Sequence, residues 1–461
     1  MSFLDKVIPP DLLQKEKWII LGLTIFFSLC VIFPFIVQIS DSGLNFNLRL
    51  DSGIKVNIFA IQTGALYALL AIGFSLIYGV AKQLKLSLGG YFVIGAYCQF
   101  FLLETMEIVP EIRTDIDGLM FLGLVLLPIL LIIVLLVFTF TLFSFRDYLL
   151  ILVAPVISGG SIILIDGNLV AGFYVGLAAI IISLTGWYLE LPKREIALGS
   201  FIYALSMPVL YILGFPSIYF SLMILSVVFT ACVAMISDRY LLDTVRHSHI
   251  SVMIVTFALA LILQSIVQVV YFPQNGNNFT RFQSIDWSFP GIVPKTGITV
   301  IFGVSIPTIR LISLIFSVIA VVLLYIFIYY TKFGIALRAV SQDEEAAALV
   351  GINIRKTTAL VSGVGMGLAG FAAVLTSSFS ARPLWNPFMG WPVLIWAIAV
   401  VTLGGMGSLG GSIIAAFVIG YSEILVSTID PSYSVAIPFL IVILVMIMKP
   451  EGLFGEKKEV E

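Results

Sequence analysis

Polar groups that could bind a solute are scarce in this sequence, and most of them interrupt long apolar segments. Glu423 is the one carboxylate deep inside such a segment, and Thr63, Tyr67 and Gln264 interrupt others. Polar side chains are costly in a bilayer, so they usually face the interior of a helical bundle. We predict that these four residues line a path for a solute. The alternative is hydrogen bonding between helices or, for Glu423, a structural partner or a shallow position near the membrane surface.

Two glycine clusters could interrupt helices within the membrane. One contains Gly89 and Gly90, and the other contains Gly404, Gly405 and Gly407. Unwound backbone is tolerated in a bilayer only where it is buried in protein or lines a cavity. Its amide and carbonyl groups can hold the carboxylate and the ammonium of an amino acid. We therefore assign both clusters to the same path, with close helix packing through small residues as the alternative.

Other kinds of chemistry have little support in the sequence. No GxxxxGK[ST] motif occurs, and no paired acids or nucleophile and base constellation lies at a plausible depth, so we predict neither an ATPase site nor an enzyme. His247 and His249 have no third ligand nearby, and the three cysteines lie far apart in apolar segments, so we predict no metal and no bound cofactor. The net charge of −2, without a basic run, gives no basis for nucleic-acid binding.

The elements that must position these residues are membrane-spanning helices. Hydrophobic residues make up 60% of the 461 residues, and apolar runs of about 18 residues or more recur along the chain. We predict an all-α, polytopic transmembrane helical bundle with about 14 crossings, some of them broken or re-entrant. The predicted crossings are 18–39, 57–80, 86–103, 120–144, 148–165, 168–189, 197–215, 217–237, 249–272, 309–330, 358–379, 391–404, 413–429 and 434–448.

The distribution of lysine and arginine predicts the orientation. Cytoplasmic loops of membrane proteins carry an excess of both residues. If the N- and C-termini of the chain are cytoplasmic, the connections on the cytoplasmic side carry this excess. These connections include Lys82 and Lys85, Arg239 and Arg246, Arg355 and Lys356. The same parity places 273–307 outside, where Asn278 begins a glycosylation sequon.

A polar stretch, "AVSQDEEAAALVGINIRKTTA" from Ala339, interrupts this apolar pattern. Ser341 and Glu344 have the spacing of a capping box, acidic residues fill the first turn, and Gly351 suits the position just past the last turn. We predict one capped helix roughly 14 Å long, which is too short to cross a membrane or to be stable alone. Ala346 and Ala347 would allow a close approach of a partner, and Leu349 would provide an apolar contact.

The sequence Glu345-Ala346-Ala347, three residues and then Gly351 resembles the "EAA, three residues, G" loop of ABC-importer permeases. The surrounding residues, from "RAVSQDEEAAALVG" to "GMGLAGFAAVLTS", are similar to the branched-chain amino-acid permease family, which includes urea and amide importers. "TGALYALLAIGFSLIYGVAKQLKLSLGGYFVIGAY" and "VVTLGGMGSLGGSIIAAFVIGYSEIL" agree in the same order. The resemblance implies an ATPase-coupling loop that contains Ser341, Glu344, Glu345, Ala346, Ala347, Leu349 and Gly351.

The resemblance also implies partners and a location. These are two ABC ATP-binding subunits that use the ATP, a second permease subunit (homologous or identical), an extracytoplasmic substrate-binding protein and the lipid bilayer of the plasma membrane. The implied cargo is a branched-chain or other hydrophobic amino acid, with urea or short-chain amides as the alternative. A secondary transporter or channel is the alternative of another class, but it would need several embedded carboxylates or an inverted repeat.

The resemblance divides the chain unevenly. We predict a lead, first helix and outer loop over 1–56, a family-like segment over 57–103, and a family-like core over 221–461 with the coupling loop at 331–357. The block 104–220 has no counterpart in the resemblance, and its pattern predicts about four further helices.

Overall fold

The computed structural model describes residues 17–40, 43–46, 50–108, 160, 175–179, 217–246, 248–271, 298–301, 304–379, 387–430, 433–434, 436–449 and 452–454. Within these ranges the chain is mainly helical, as predicted. The predicted crossings 120–144, 148–165, 168–189 and 197–215 lie outside the described residues except at 160 and 175–179, and so does Asn278.

The helices follow the apolar runs closely. They are α1 (Lys17–Ile36), α2 (Leu50–Ala81), α3 (Leu88–Ile108), α4 (Ser217–Ser237), α5 (His249–Tyr271), α6 (Thr308–Tyr330), α7 (Lys332–Gln342), α8 (Glu344–Leu349), α9 (Ile354–Phe379), α10 (Gly390–Gly404), α11 (Leu409–Ile429) and α12 (Ala436–Met448). Six of the helices in the described ranges, α2, α4, α5, α6, α9 and α11, are long and apolar enough to cross a membrane. The described chain is therefore an all-α polytopic membrane protein, and the total of about 14 crossings stays a prediction.

Two short hairpins were not predicted. Strands β1 (Val37–Ser40) and β2 (Gly43–Phe46) pair antiparallel between α1 and α2, and β3 (Ile298–Ile301) and β4 (Val304–Pro307) pair in the same way before α6. The first hairpin ends α1 at Ile36, three residues before the predicted end of that crossing. Antiparallel pairing satisfies backbone groups that leave a helix, and this local solution leaves no mark on the hydropathy pattern.

The core of the bundle is built around α2 and α9. The most apolar window of each is 83% buried, against 22% for α6 and 33% for α5. Gly73 of α2 and Gly365 of α9 face each other so closely that a Cβ atom on Gly73 would lie 2.5 Å from the carbonyl oxygen of Gly365. Gly64 and Gly420 allow a similar approach of α2 and α11. Small residues thus bring helix backbones into direct contact, as is typical of membrane bundles.

Several connections converge at one end of the bundle, which we call the basic end. It contains the connection 82–87, the residues after α4, the start of α9, the turn between α10 and α11, and residues 452–454. Gln83 Nε2 donates to the carbonyl oxygen of Arg246 at 2.8 Å, and the amide of Leu453 donates to the carbonyl oxygen of Leu403 at 2.8 Å. Both hairpins lead into helices that run toward this end, so they lie at the opposite end, where Arg310 of α6 stacks 4.0 Å from the Phe59 ring.

Candidate functional site

The polar stretch at the basic end forms two helices rather than one. Helix α7 has 11 residues and begins after Thr331, whose side chain accepts from the amide of Gly334. Helix α8 has six residues, and its cap is Asp343, whose Oδ1 accepts from the amides of Glu345 and Ala346, each at 3.0 Å. The chain turns at Asp343, where the backbone is extended.

The predicted capping box of Ser341 and Glu344 is therefore wrong. Ser341 lies in the last turn of α7, and its Oγ donates to the carbonyl oxygen of Arg338 at 2.8 Å. Residues 332–342 form a separate amphipathic helix that includes Ser341, so Asp343, the first residue after that helix, takes the cap. Helix α8 is accordingly about 9 Å long, which is shorter than the predicted single helix of roughly 14 Å.

The end of α8 agrees with the prediction for Gly351. Its φ of +87° lies in the left-handed region, where a Cβ atom is unfavourable. The amide of Gly351 donates to Ala348 O at 3.0 Å and that of Ile352 to Ala347 O at 3.1 Å. These two bonds form a Schellman motif, which satisfies the carbonyl groups at the helix end.

Helix α8 is held on one side and exposed on the other. Ala347 is buried against the core, while Leu349 is 88% exposed and Val350 is 77% exposed. The carboxylates of Glu344 and Glu345 and the methyl group of Ala346 also face outward. Two adjacent apolar side chains outside the membrane-spanning segments would each gain about 1.5–3 kcal/mol from full burial against a partner.

A buried ion pair lies against α9 at the basic end. Lys85 Nζ pairs with Asp238 Oδ1, and the two side chains are 3% and 2% exposed. Lys85 Nζ also donates to Ser362 Oγ at 2.6 Å, and Ser362 Oγ donates to Asp238 Oδ1 at 3.1 Å. Burial lowers the pKa of Lys85, and the charge of Asp238 opposes that shift. These three residues join the connection between α2 and α3, the π-helical turn after α4 (Asp238–Leu242) and α9.

Arginines extend this cluster toward the surface. Arg246 Nη2 donates to Thr358 Oγ1 at 2.7 Å and lies 3.6 Å from Asp238 Oδ2. Arg355 Nε lies 3.3 Å from Asp243 Oδ2. Thr358 and Arg355 belong to the first turns of α9, which begins four residues after Val350. Sequence reasoning treated Lys85 and Arg246 only as loop cations and missed Asp238, although a carboxylate at the end of an apolar run needs a partner.

Two of the residues assigned to the solute path meet inside the membrane region. Tyr67 Oη of α2 donates to Glu423 Oε2 of α11 at 2.6 Å. The Tyr67 ring also packs against Trp396 of α10, with 5.5 Å between ring centroids. Thr63 lies one turn before Tyr67 on the same face of α2. We call Tyr67, Trp396 and Glu423 the acidic aromatic site. Sequence reasoning missed Trp396, because a tryptophan in an apolar segment has the same pattern as a core residue.

Gln264 lies elsewhere in the bundle. It belongs to α5, which packs against α3, and its side chain is fully buried. Neither atom of its amide group has a hydrogen-bond partner among the described residues. The structure therefore brings Thr63, Tyr67 and Glu423 together but records no link from them to Gln264.

The two glycine clusters differ in whether they interrupt a helix. Gly89 and Gly90 lie in the first turn of an unbroken α3, where Gly89 packs on Gly390 and a Cβ atom on Gly90 would lie 2.9 Å from Ala260 Cα. The prediction of a break there is wrong, because these residues are required for backbone contact with α10 and α5.

The second glycine cluster does interrupt the helical structure. Helix α10 ends at Gly404, and Gly405 (φ +99°) and Gly407 (φ +89°) form the turn to α11. The carbonyl group of Gly404 accepts from the amide of Phe454 at 3.1 Å, and that of Gly405 from Ser408 at 3.0 Å. These groups are bonded within the protein at the basic end, roughly 20 Å along α11 from Glu423.

Comparison with known proteins decides the family. The family described as "branched-chain amino acid transport system / permease component" matches residues 165–446, which is more than half of the chain. The chain belongs to this permease family. The resemblance found in the sequence is thereby confirmed. The match begins inside the block 104–220, and the prediction that this block is a separate insertion stays a prediction.

Individual relatives of the family are similar over part of the chain. The high-affinity branched-chain amino acid transport system permease protein LivH of Escherichia coli is 34% identical over 161 residues, which are 35% of this chain and 51% of LivH. BraD of Pseudomonas aeruginosa is 32% identical over 139 residues, 30% of this chain and 44% of BraD. The chain thus spans about half the length of the curated relatives it matches, and no solved structure matches it.

Proposed function

We propose that this chain is the permease subunit of an ATP-driven ABC importer and forms the path for branched-chain or other hydrophobic amino acids. The observation that carries the proposal is α8, a short capped helix with Leu349 and Val350 exposed, in a chain of the permease family. Two ATP-binding subunits would dock on this helix and on its counterpart in a second permease chain, and they would supply the ATPase site, for which the chain has no phosphate-binding motif.

The remaining partners follow from the same proposal. A second permease subunit, identical or homologous, completes the path, and an extracytoplasmic substrate-binding protein delivers the cargo at the hairpin end. The basic end faces the cytoplasm of the cell membrane, in keeping with the excess of cations in its connections, and both termini of the chain lie on that side.

The arrangement suggests how a movement of α8 would reach the path. Only Gly351, Ile352 and Asn353 lie between Val350, the C-cap of α8, and the start of α9. Asn353 Oδ1 caps α9 by accepting from the amide of Lys356 at 3.1 Å. Helix α9 contacts α2 through Gly365 and Gly73. A displacement of α8 when the ATP-binding subunits close would therefore bias α9 and α2 between two arrangements.

A matched pair of valine variants tests the docking role. We expect Val350→Asp to reduce ATP-dependent leucine uptake by about tenfold or more, because it places a charge in a contact that excludes water. Val300→Asp is the control for co-purification of the ATP-binding subunit, since Val300 is also exposed, at 64%, but lies at the hairpin end, away from that subunit. Both would be measured in proteoliposomes that contain the complete importer, with co-purification of the ATP-binding subunit as a second readout.

Two outcomes contradict the proposal. One is equal uptake and equal co-purification of the ATP-binding subunit for both variants and the unchanged protein. The other is leucine uptake by the purified chain without any ATP-binding subunit, which would indicate the alternative class of secondary transporter or channel.

A further inference from the structure

The carboxyl group of the acidic aromatic site has no cationic partner among the described residues. Glu423 receives one hydrogen bond, from the neutral Tyr67 hydroxyl, and none of the ion pairs among the described residues includes it. An ionised carboxylate can accept about four hydrogen bonds, so most of its capacity remains. By contrast, Asp238 at the basic end is paired with both Lys85 and Arg246.

The position of Glu423 is also informative. It lies 14 residues after the start of α11 and six before its end, which is roughly 21 Å from the basic end and 9 Å from the hairpin end. The site is thus inside the membrane region but in the half that faces the hairpins. In the proposed importer, that is the half that cargo enters first.

The neighbouring rings provide the chemistry that complements a carboxylate in binding a cation. The faces of tryptophan and tyrosine attract an ammonium group, with the strongest effect where water is displaced. Trp396 and Tyr67 are 5.5 Å apart at a tilt of 49°, and the Tyr67 hydroxyl holds one carboxylate oxygen of Glu423 in place. The three side chains come from α10, α2 and α11, so a ligand bound there would contact three helices at once.

The backbone around the site is held closely. Gly64 is three residues before Tyr67, and Gly420 is three residues before Glu423. A Cβ atom on Gly420 would lie 2.6 Å from the amide nitrogen of Gly64, so α2 and α11 cannot separate or slide without losing this contact. Close packing of this kind fixes the geometry of the side chains that it supports.

We propose that Glu423, Tyr67 and Trp396 bind the ammonium group of the cargo during its passage. This inference rests on the proposed importer function and deepens it, because it selects among the cargoes left open above. Amino acids carry an ammonium group, whereas urea and short-chain amides do not. The site therefore assigns the path to amino acids.

Equilibrium binding tests the inference on the intact complex. The permease subunits and ATP-binding subunits, in nanodiscs without the substrate-binding protein, would be titrated with radiolabelled leucine. We expect Glu423→Gln, which keeps an acceptor for Tyr67 but removes the charge, to weaken leucine binding by about tenfold or more. Trp396→Leu should weaken it by several-fold, and Trp396→Phe should restore part of the loss. Asp430→Asn, at the end of the same helix, is the matched control and should leave binding unchanged.

Competition separates the ammonium from the rest of the ligand. In the unchanged complex, 4-methylpentanoate, which is leucine without its amino group, and urea should both fail to displace leucine. Equal leucine affinity of Glu423→Gln and the unchanged complex would overturn the inference, and so would displacement by 4-methylpentanoate. If Glu423→Gln does not assemble, Trp396→Leu decides instead, and an unchanged affinity for that variant has the same meaning.

A parallel uptake assay keeps the two proposals apart. ATP-dependent leucine uptake by the unchanged importer, together with a normal affinity of Glu423→Gln, would remove the ammonium site and leave the importer function intact. Absence of any ATP-dependent uptake would contradict the proposed function itself. Uptake of urea instead of leucine would overturn the ammonium site while retaining the class of importer.

Discussion

Asp238, which is buried, and Glu423, which is half-buried, have opposite surroundings. Asp238 at the basic end has Lys85 as a direct partner and Arg246 within 3.6 Å, and it joins three separate connections. Glu423 in the membrane region accepts a hydrogen bond from the Tyr67 hydroxyl, and the Tyr67 ring packs against Trp396. A paired buried charge fixes the structure around it, whereas a carboxylate with only a neutral donor still favours a cation. The difference suggests that the basic end organises the fold and that the acidic aromatic site binds the cargo.

Removing one member of the ion pair should have the largest effect on stability. Asp238→Leu leaves Lys85 buried without a carboxylate, which typically costs about 3–5 kcal/mol. We expect a large fall in the thermal unfolding temperature in detergent, as followed by intrinsic fluorescence. The double variant Lys85→Met with Asp238→Leu should recover most of that loss, because an apolar pair can replace a buried ion pair at little cost.

Glu423→Gln is the matching change for the other carboxylate. It should alter the unfolding temperature much less than Asp238→Leu, since the amide can still accept from Tyr67. If both single variants were equally destabilised, or if the double variant at the basic end were as unstable as Asp238→Leu, the contrast between the two regions would be wrong.

The next prediction concerns the joint between α8 and α9. Gly351→Val places a β-branched residue at a φ of +87°, a conformation that costs about 1–3 kcal/mol for residues other than glycine. We expect the end of α8 to rearrange and ATP hydrolysis to become uncoupled from uptake, while the chain still inserts in the membrane. Val300→Asp serves again as the distant variant.

The measurement is the number of ATP molecules hydrolysed per leucine taken up in proteoliposomes. That ratio should rise for Gly351→Val and remain constant for Val300→Asp. Survival of normal uptake together with normal stimulation of ATP hydrolysis in Gly351→Val would contradict the assigned role of the joint.

The features predicted correctly from the sequence are those that depend on neighbouring residues. The apolar run 217–237 and helix α4 have identical bounds, and 309–330 differs from α6 by one residue, because hydropathy reports directly which segment can lie in a membrane. Gly351 was also placed correctly, since its left-handed conformation follows from the local helix end.

The features that were missed depend on which helices meet. Tyr67 and Glu423 are 356 residues apart, and Lys85 and Asp238 are 153 apart, so their contacts arise only when α2, α3, α4 and α11 pack. The predicted break at Gly89 and Gly90 was wrong for the same reason. A glycine that breaks a helix and one that allows another backbone to approach have the same pattern in a single sequence, and at Gly89 and Gly90 packing was the correct alternative.

The smallest predicted effect separates the two possible caps of α8. Asp343→Ala removes an acceptor for two amide groups and should destabilise α8 by about 0.5–2 kcal/mol. Ser341→Ala removes only a bond within the last turn of α7 and should have a much smaller effect. Hydrogen exchange of the amides of Glu345 and Ala346 should therefore accelerate in the first variant and remain unchanged in the second. The opposite order would restore the serine cap and would mean that the second helix begins directly after Ser341.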